Sequence, residues 1–360
     1  MTTVGIMGAG QLGLMLGDAG KALDLDFAFL DPAEDPPAQS VGPVLSRPFD
    51  SDEGLQMLAG CDVVTYEFEN VPVAAVEALS KQVPVFPPPA ALQHAQDRLR
   101  EKQLFERLGI PVPAWREVSS LEDLAAAVRS IGLPLVLKAR RFGYDGKGQF
   151  VVKEEKDADA AWQEVRGKPS IAEQWIPFDR EISVFGARAA DGRIALYPMT
   201  QNEHRQGILR VSIAPAEGIA IAEEAGAHLR KLLTCLEYVG ILALEMFVVG
   251  NRVLANEFAP RVHNSGHWTI EGSKTSQFEN HLRAILGLRL GDTGATGHAG
   301  MINLIGSMPP VNGQFGSEWH LHDYGKAARP GRKLGHMTIV APDAETRDRE
   351  LSNTLKVLGN

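Results

Sequence analysis

Ala243-Leu-Glu-Met-Phe247 and Val253-Leu-Ala-Asn-Glu-Phe258 are two apolar strands, each carrying one carboxylate, on either side of a tip at Gly250-Asn251. Their closeness in sequence makes them a β-hairpin, and the turn between them sets which residues oppose each other. A three-residue loop over 250–252 pairs Val249 with Val253 and, four residues further along each strand, Glu245 with Glu257. A two-residue loop pairs Glu245 with Asn256 instead and sends the two glutamates to opposite faces. In the first register the Cβ atoms stand about 5 Å apart and the carboxylates repel. A hard cation between them removes the repulsion, and Mg²⁺ takes one or two protein carboxylates together with substrate phosphates. The hairpin therefore points to an antiparallel α+β unit that holds a phosphorylated ligand.

The flanking sequence fits that reading. Arg261-Val-His-Asn-Ser-Gly-His-Trp268 follows the hairpin at once and is dense in polar groups. His263 and His267 suggest a transition-metal pair, but Asn264-Ser265-Gly266 disfavours the helix that would align them, and no third ligand is evident. A substrate-binding or catalytic loop is the better reading. Upstream, Leu133–Ala139 is a strand that carries Lys138 near its end, where an ammonium can meet a phosphate. The run Arg140-Arg-Phe-Gly-Tyr-Asp-Gly-Lys-Gly148 combines glycines with cations, as a loop closing over phosphates would, but it lacks the G-x-x-x-x-G-K-[ST] spacing of a P-loop. Ile171-Ala-Glu-Gln-Trp-Ile176 runs into Asp179-Arg-Glu181, a strand-to-loop passage able to present backbone groups to a purine and a carboxylate to a ribose. Further strands are expected at Gln149–Val152, Ser170–Glu173, Glu181–Ala187, Ile194–Met199 and Gly240–Val249. Helices are expected at His94–Leu108, ended by Gly109, and at Leu121–Ser130, Ala220–Tyr238 and Gln277–Leu286.

The N-terminal stretch has a different texture. Val4–Met7, Asp26–Leu30, Cys61–Tyr66 and Val83–Phe86 read as strands, and Leu12–Ala22 as a helix, the alternation of a parallel α/β sheet. Between the first strand and the helix, Gly8-Ala-Gly-Gln-Leu-Gly13 has the dinucleotide spacing, and Asp31 lies where a ribose carboxylate would. The same glycine turn at a helix N-terminus serves any phosphate. After Gly291–Gly300, a Gly/Thr/Ala linker, a tail carries strands near Met301–Ile305 and Lys333–Val340. Three regions are expected: 1–93, 94–290 with a lid over about 115–180, and 291–360.

Composition narrows the classes. The chain has 360 residues, 44% hydrophobic and 22% charged, with a net charge of −9. It is too apolar for disorder, and the acidic balance disfavours a nucleic-acid coat or an anionic-membrane binder. No stretch reaches the ~20 apolar residues of a membrane span. Two cysteines make no disulfide framework, and the N-terminus has no signal-peptide pattern, so a cytoplasmic chain with reduced thiols is expected.

Six segments together carry a resemblance: Gly10-Gln-Leu-Gly13; Thr65-Tyr-Glu-Phe-Glu-Asn-Val-Pro72; Asp97-Arg98 with Lys102-Gln-Leu-Phe105; Gly143-Tyr-Asp-Gly-Lys-Gly-Gln149; Asn256-Glu-Phe-Ala-Pro-Arg-Val-His-Asn-Ser-Gly-His-Trp268; and Arg329-Pro-Gly-Arg-Lys-Leu-Gly-His336. Over nearly the whole chain the sequence resembles the 5-(carboxyamino)imidazole ribonucleotide synthase family of ATP-grasp ligases. The resemblance implies an ATP-grasp fold with an N-terminal parallel α/β (pre-ATP-grasp) domain and a small C-terminal β-containing domain. It implies the ATP-dependent carboxylation of aminoimidazole ribonucleotide with bicarbonate, through carboxyphosphate, in purine biosynthesis by a cytoplasmic homodimer, with no nucleic-acid or membrane partner. Arg98, Lys138, Gly143, Tyr144, Asp145, Gly146, Lys147, Gly148, Gln149, Glu173, Gln174, Trp175, Ile176, Glu181, His204, Asn256 and Glu257 then fall around ATP. Glu245 and Glu257 fall around Mg²⁺. Gln11, Leu12, Tyr144, Asp145, Arg261, His263, Asn264, Ser265, Lys326, Arg332 and Lys333 fall around the ribonucleotide and bicarbonate. Lys147, Arg261, His263 and Asn264 are the implied catalytic set, with His263 open between proton acceptor and bystander. Leu14 stands where many members carry arginine. The competing readings are another ATP-grasp ligase and a nicotinamide-dependent oxidoreductase using Gly8–Gly13.

Overall fold

The structure is a computed structural model that describes residues 1–141, 143, 148–309 and 318–358. Its first unit is a four-stranded parallel sheet in the order Val44–Ser46, Leu25–Asp31, Thr2–Met7, Val63–Tyr66. Strands covered on both faces read as continuous apolar runs, and Val63–Tyr66 is buried throughout. The expected strand at Val83–Phe86 reduces to a single bridge, Val64 to Val85. Val64 donates to the Pro84 carbonyl and Phe86 donates to that of Val64; Pro84 and Pro87 have no N–H to extend the ladder.

A second, antiparallel sheet runs Trp115–Val118, Ser170–Gln174, Leu135–Ala139, Gln149–Val152. Helices Leu121–Ile131 and Ala158–Glu164 close its apolar face, where Leu124, Val128 and Ala161 share a core with Leu137 of the sheet. Ser120 caps the first of these helices by accepting from the Asp123 amide at 3.1 Å.

The third sheet has nine strands. Eight follow the order Arg252–Ala259, Gly240–Val249, Arg180–Arg188, Thr200–Arg205, Ile208–Ala214, His298–Ile305, Lys333–Ala341, Trp319–Asp323, and Ile194–Leu196 adds to Arg180–Arg188. The tail thus continues the central sheet: Val211 pairs with Ile302. Helix Ile219–Cys235 covers one face, and Gln277–Ile285 packs against helix Gln11–Gly20, so that Leu16 and Phe27 share a core with Phe185, Trp268 and Leu282.

The helix expected over His94–Leu108 is two helices, Pro89–Ala95 and Arg98–Arg107. Asp97 breaks it: its backbone is extended, and its carboxylate accepts from the Leu99 amide at 3.0 Å as an N-cap. Gly109 ends the second helix at φ +62°. The hairpin Thr200–Arg205/Ile208–Ala214 escaped the sequence reading because Thr-Gln-Asn-Glu-His-Arg is polar throughout; its tip is Gln206-Gly207, both at positive φ. The terminal helix Ala344–Val357, capped by Asp343, also went unread.

Candidate active site

The Gly240–Val249 and Arg252–Ala259 hairpin turns over two residues, Gly250 and Asn251, so that Val249 faces Arg252 and Met246 faces Ala255. That corrects the three-residue loop expected at 250–252. Glu245 nevertheless faces Glu257, because the register shifts by one between Met246 and Glu245 and Asn256 becomes the extra residue of a β-bulge. The carboxylates are opposed through the bulge and not through the turn.

Each glutamate has a close polar partner. Arg98 Nη1 donates to Glu257 Oε2 at 2.9 Å. His263 Nε2 lies 3.0 Å from Glu245 Oε1. The amide of Ser265 donates to His263 Nδ1 at 3.3 Å, which makes that nitrogen an acceptor and puts the ring proton on Nε2, facing Glu245. Burial opposes ionisation of Glu245, but the His263 hydrogen bond, with His204 and Lys333 nearby, brings its pKa down to about 2. Ser265 is buried and its hydroxyl meets His263 Nδ1 at 2.8 Å. Asn264 exchanges amide hydrogen bonds with Asn303, at 3.1 and 2.6 Å. Arg261 is gripped by Glu69 at 2.6 Å and donates to the Val262 carbonyl.

The second sheet brings a buried charge triad. Val136 pairs with Glu173, so Lys138 and Glu173 rise from neighbouring strands. Glu173 ion-pairs with Lys138 through Oε2, and Lys102 Nζ stands 2.7 Å from its Oε1. Burial would raise the Glu173 pKa, but the two ammonium groups hold it far below the carboxylate range. Burial likewise lowers the Lys138 pKa, with Glu173 opposing. Two cations against one anion leave net positive charge at the cleft wall, suited to phosphates. Across the cleft, His204 Nδ1 lies 2.7 Å from Glu181 Oε2; burial alone would lower the His204 pKa, but this bond and nearby Glu245 raise it. Phe178 stacks on Phe247, 4.8 Å between centroids and 10° apart in plane, an aromatic shelf beside Glu181.

One cleft of about 1230 Å³ joins these groups. Gln11, Leu12, Arg98, Lys138, Gly143 and Gln149 line it, as do Glu173, Gln174, Trp175, Ile176, Glu181 and His204. So do Glu245, Asn256, Glu257, Arg261, His263, Asn264, Lys326 and Lys333. Gly148, at φ +71°, lies beside it, and its carbonyl accepts from Ala139. Ser265 sits behind His263. Arg332 is not in the cleft wall; it donates to the Ala327 carbonyl at 3.2 Å, while Arg329 does line the cleft. Tyr144, Asp145, Gly146 and Lys147 lie outside the described residues.

The glycine turn is spoken for. Asp31 accepts from the Ala9 amide at 2.8 Å and Glu67 from the Gly10 amide at 2.6 Å. A Cβ at Gly8, φ +101°, or at Gly10 would stand 2.8 Å from Glu67 Oε1. The glycines admit a carboxylate, and the amides that a dinucleotide pyrophosphate would use are taken. Burial pushes the Glu67 pKa up to about 7, against the Gly10 amide and Arg261, which favour its charge. Lys326, at the same mouth, bonds Gln11. Sequence reasoning passed over Glu67, Glu69, Glu101 and Lys102 as site residues. Glu67 and Glu69 directly follow the buried strand Val63–Tyr66, at its carboxyl end, where open α/β sheets bind ligands.

Three family models match: a ribonucleotide synthetase preATP-grasp domain at residues 1–96, an ATP-grasp domain at 103–278, and a phosphoribosylaminoimidazole carboxylase C-terminal domain at 299–350. The chain is 48% identical over 345 residues to the N5-carboxyaminoimidazole ribonucleotide synthase of Pseudomonas aeruginosa, covering 95% of this chain and 96% of that one. It is 44% identical to the enzyme of the same name from Brucella melitensis, covering 95% and 97%. Among solved structures, N5-carboxyaminoimidazole ribonucleotide synthetase from Thermus thermophilus superposes with a TM-score of 0.94 at 46% identity, over 99% of both chains. The Aspergillus clavatus N5-carboxyaminoimidazole synthase, solved with ADP and 5-aminoimidazole ribonucleotide, gives 0.91 at 31% identity, over 99% and 98%. With its opposed glutamates, buried lysine triad and pre-ATP-grasp sheet, the chain belongs to the N5-carboxyaminoimidazole ribonucleotide synthase family of ATP-grasp ligases.

Proposed function

We propose that this chain carboxylates 5-aminoimidazole ribonucleotide with bicarbonate at the expense of ATP, giving the N-carboxylated ribonucleotide, ADP and phosphate. The observation that carries the reading is the opposition of Glu245 and Glu257 beside the Lys102–Glu173–Lys138 triad. Two hard oxygen donors at opposed positions fit Mg²⁺, which also takes phosphate oxygens. When bound there, Mg²⁺ supplies neutralisation of the phosphate charge. Arg98 and Lys138 add fixed positive charge from the chain itself. A bicarbonate oxygen forms a bond to the γ-phosphorus as the bond to ADP breaks; the substrate amine then takes the carboxyl carbon as phosphate leaves, and the proton the amine gives up goes to the departing phosphate. Both reactants of the first step are anions, so fixed cations dominate its stabilisation. Arg261, aligned by Glu69, presents the planar fork that a bicarbonate carboxylate matches. His263, with Nδ1 occupied and its proton facing Glu245, holds that carboxylate in place in preference to accepting a proton. Lys326, Arg329 and Lys333 suit the ribonucleotide phosphate.

Regions 1–93, 94–290 and 291–360 divide the work in this reading, with 115–180 covering the nucleotide. The resemblance supports a cytoplasmic homodimer; among the described residues no helix is long and apolar enough to cross a membrane. Phosphate release from Mg-ATP tests the proposal. Release that requires both the aminoimidazole ribonucleotide and bicarbonate supports it. Turnover indifferent to the ribonucleotide overturns the substrate.

A further inference from the structure

The bulge that opposes Glu245 and Glu257 is gripped from outside the sheet. Arg252–Ala259 is an edge strand, so its outer N–H and C=O groups have no neighbouring strand. In a regular strand, outward amides recur every second residue. Here the outward amides are Ala255, which donates to the Pro111 carbonyl at 2.7 Å, and Phe258, which donates to Glu101 Oε1 at 2.8 Å. They are three residues apart because Asn256 is the extra residue. Lys102 Nζ donates to the Asn256 carbonyl at 2.7 Å. Arg98, one turn earlier on the same helix, holds the Glu257 carboxylate. Positions 98, 101 and 102 share one face of helix Arg98–Arg107, and that face grips residues 256–258 in succession. Glu101 and Lys102 are 2% and 1% exposed, so neither group can exchange its partner for water.

The two-residue turn at Gly250-Asn251 by itself favours the register in which Asn256 faces Glu245 and Glu257 turns to the other face. An unsatisfied buried amide at Phe258 would penalise the bulge. We propose that Glu101 and Lys102 are positioning residues that hold the bulged register and thereby set the divalent-metal affinity of the Glu245–Glu257 pair. The proposal rests on the reading of that pair as metal ligands.

The test titrates Mn²⁺ into the purified protein saturated with ADP, following free Mn²⁺ by electron paramagnetic resonance, and separately measures ADP affinity in EDTA. Outer partners of metal ligands typically carry about 10- to 100-fold in affinity. Glu101→Leu, which removes the acceptor, is expected to weaken Mn²⁺ binding by about 10-fold or more with metal-free ADP affinity within about 3-fold. Glu101→Gln keeps a carbonyl oxygen for the Phe258 amide and is expected to stay within about 3-fold of the parent in both. Should the leucine variant not fold, Glu101→Asp, which withdraws the carboxylate by one methylene, is expected to weaken Mn²⁺ binding in the same selective way. Glu257→Gln in the same series separates the two ideas. If it leaves Mn²⁺ affinity unchanged, the metal reading itself fails. If it abolishes binding while folded Glu101→Leu or Glu101→Asp retains parent affinity, the positioning role is overturned. Equal loss of Mn²⁺ and metal-free ADP affinity overturns it as well.

Discussion

Nε2 of His281 lies 2.9 Å from Thr65 Oγ1, and so ties the central helix Gln277–Ile285 to the last strand of the N-terminal sheet. The other ring nitrogen, Nδ1, accepts the Ile241 amide at 3.1 Å. The ring is therefore neutral with its proton on Nε2, and burial lowers its pKa to about 4. A histidine whose folded pKa lies below its unfolded value near 6.5 binds its proton more weakly in the folded state. Its contribution is complete above about pH 6.5 and is lost as the pH falls from there towards about 4, amounting to about 3 kcal/mol at most. Tm is expected to fall over that window. His281→Gln, which can still accept from Ile241 and donate to Thr65, is expected to flatten the fall relative to the parent. Parallel Tm–pH curves for the two proteins would contradict this account.

Glu173 sits between Lys102 and Lys138, almost wholly buried with both. Removing its charge leaves two ammonium groups facing each other without a counterion. Breaking a buried ion pair on one side costs roughly 3–5 kcal/mol. Glu173→Gln is expected to lose stability on that scale in urea denaturation. A loss below about 1 kcal/mol would mean that solvent reaches the triad.

The sequence and the structure agree where the local pattern is strong and part where long-range partners decide. Glu245 and Glu257 were legible as a pair because both sit on apolar strands around an evident tip. The bulge that pairs them was not, because it depends on Glu101 and Lys102, some 155 residues away. The strand Thr200–Arg205 was invisible because it carries no apolar alternation: its Asn202 is buried by bonding Ser183 and Ser212 on neighbouring strands. In sequence Asp97 reads as an ordinary helical residue; in the fold Arg140 holds its carboxylate at 2.6 Å while it caps the next helix. The fingerprint at Gly8–Gly13 is ambiguous in sequence for the same reason. Glycines report that something approaches the backbone, and only the fold shows that the visitor is Glu67.

Arg261 and Glu69 form an ion pair at 2.6 Å with both groups largely shielded. Lysine at 261 keeps the charge but loses the fork that matches a carboxylate in two places. Arg261→Lys is expected to raise the bicarbonate requirement by about 10-fold or more with little change in KM for ATP. Glu69→Gln, which retains an acceptor but not the charge, is expected to shift the same constant in the same direction by less. Steady-state kinetics in bicarbonate-depleted buffer reads both. An unchanged bicarbonate dependence in Arg261→Lys would remove Arg261 from that role.

Lys326, Arg329 and Lys333 gather at the mouth formed by Gln11 and Glu67. Burial, with Arg332 and Lys333 close by, lowers the Lys326 pKa to about 8, against Glu67, which raises it. Cations crowd in this way where an anion is to be received, and a phosphate dianion compensates several at once. Lys333→Ala is expected to raise KM for aminoimidazole ribonucleotide by about 10-fold while KM for ATP moves less than about 3-fold, because the proposed arrangement assigns the ATP phosphates to Lys138 on the other sheet. The charge on Lys326 is present below its pKa and lost above it. KM for the ribonucleotide is therefore expected to climb above about pH 8, and Lys326→Arg, which stays charged, is expected to suppress the climb. Equal effects of Lys333→Ala on both substrates would move the phosphate elsewhere. A climb that persists in Lys326→Arg would assign the titration to another group.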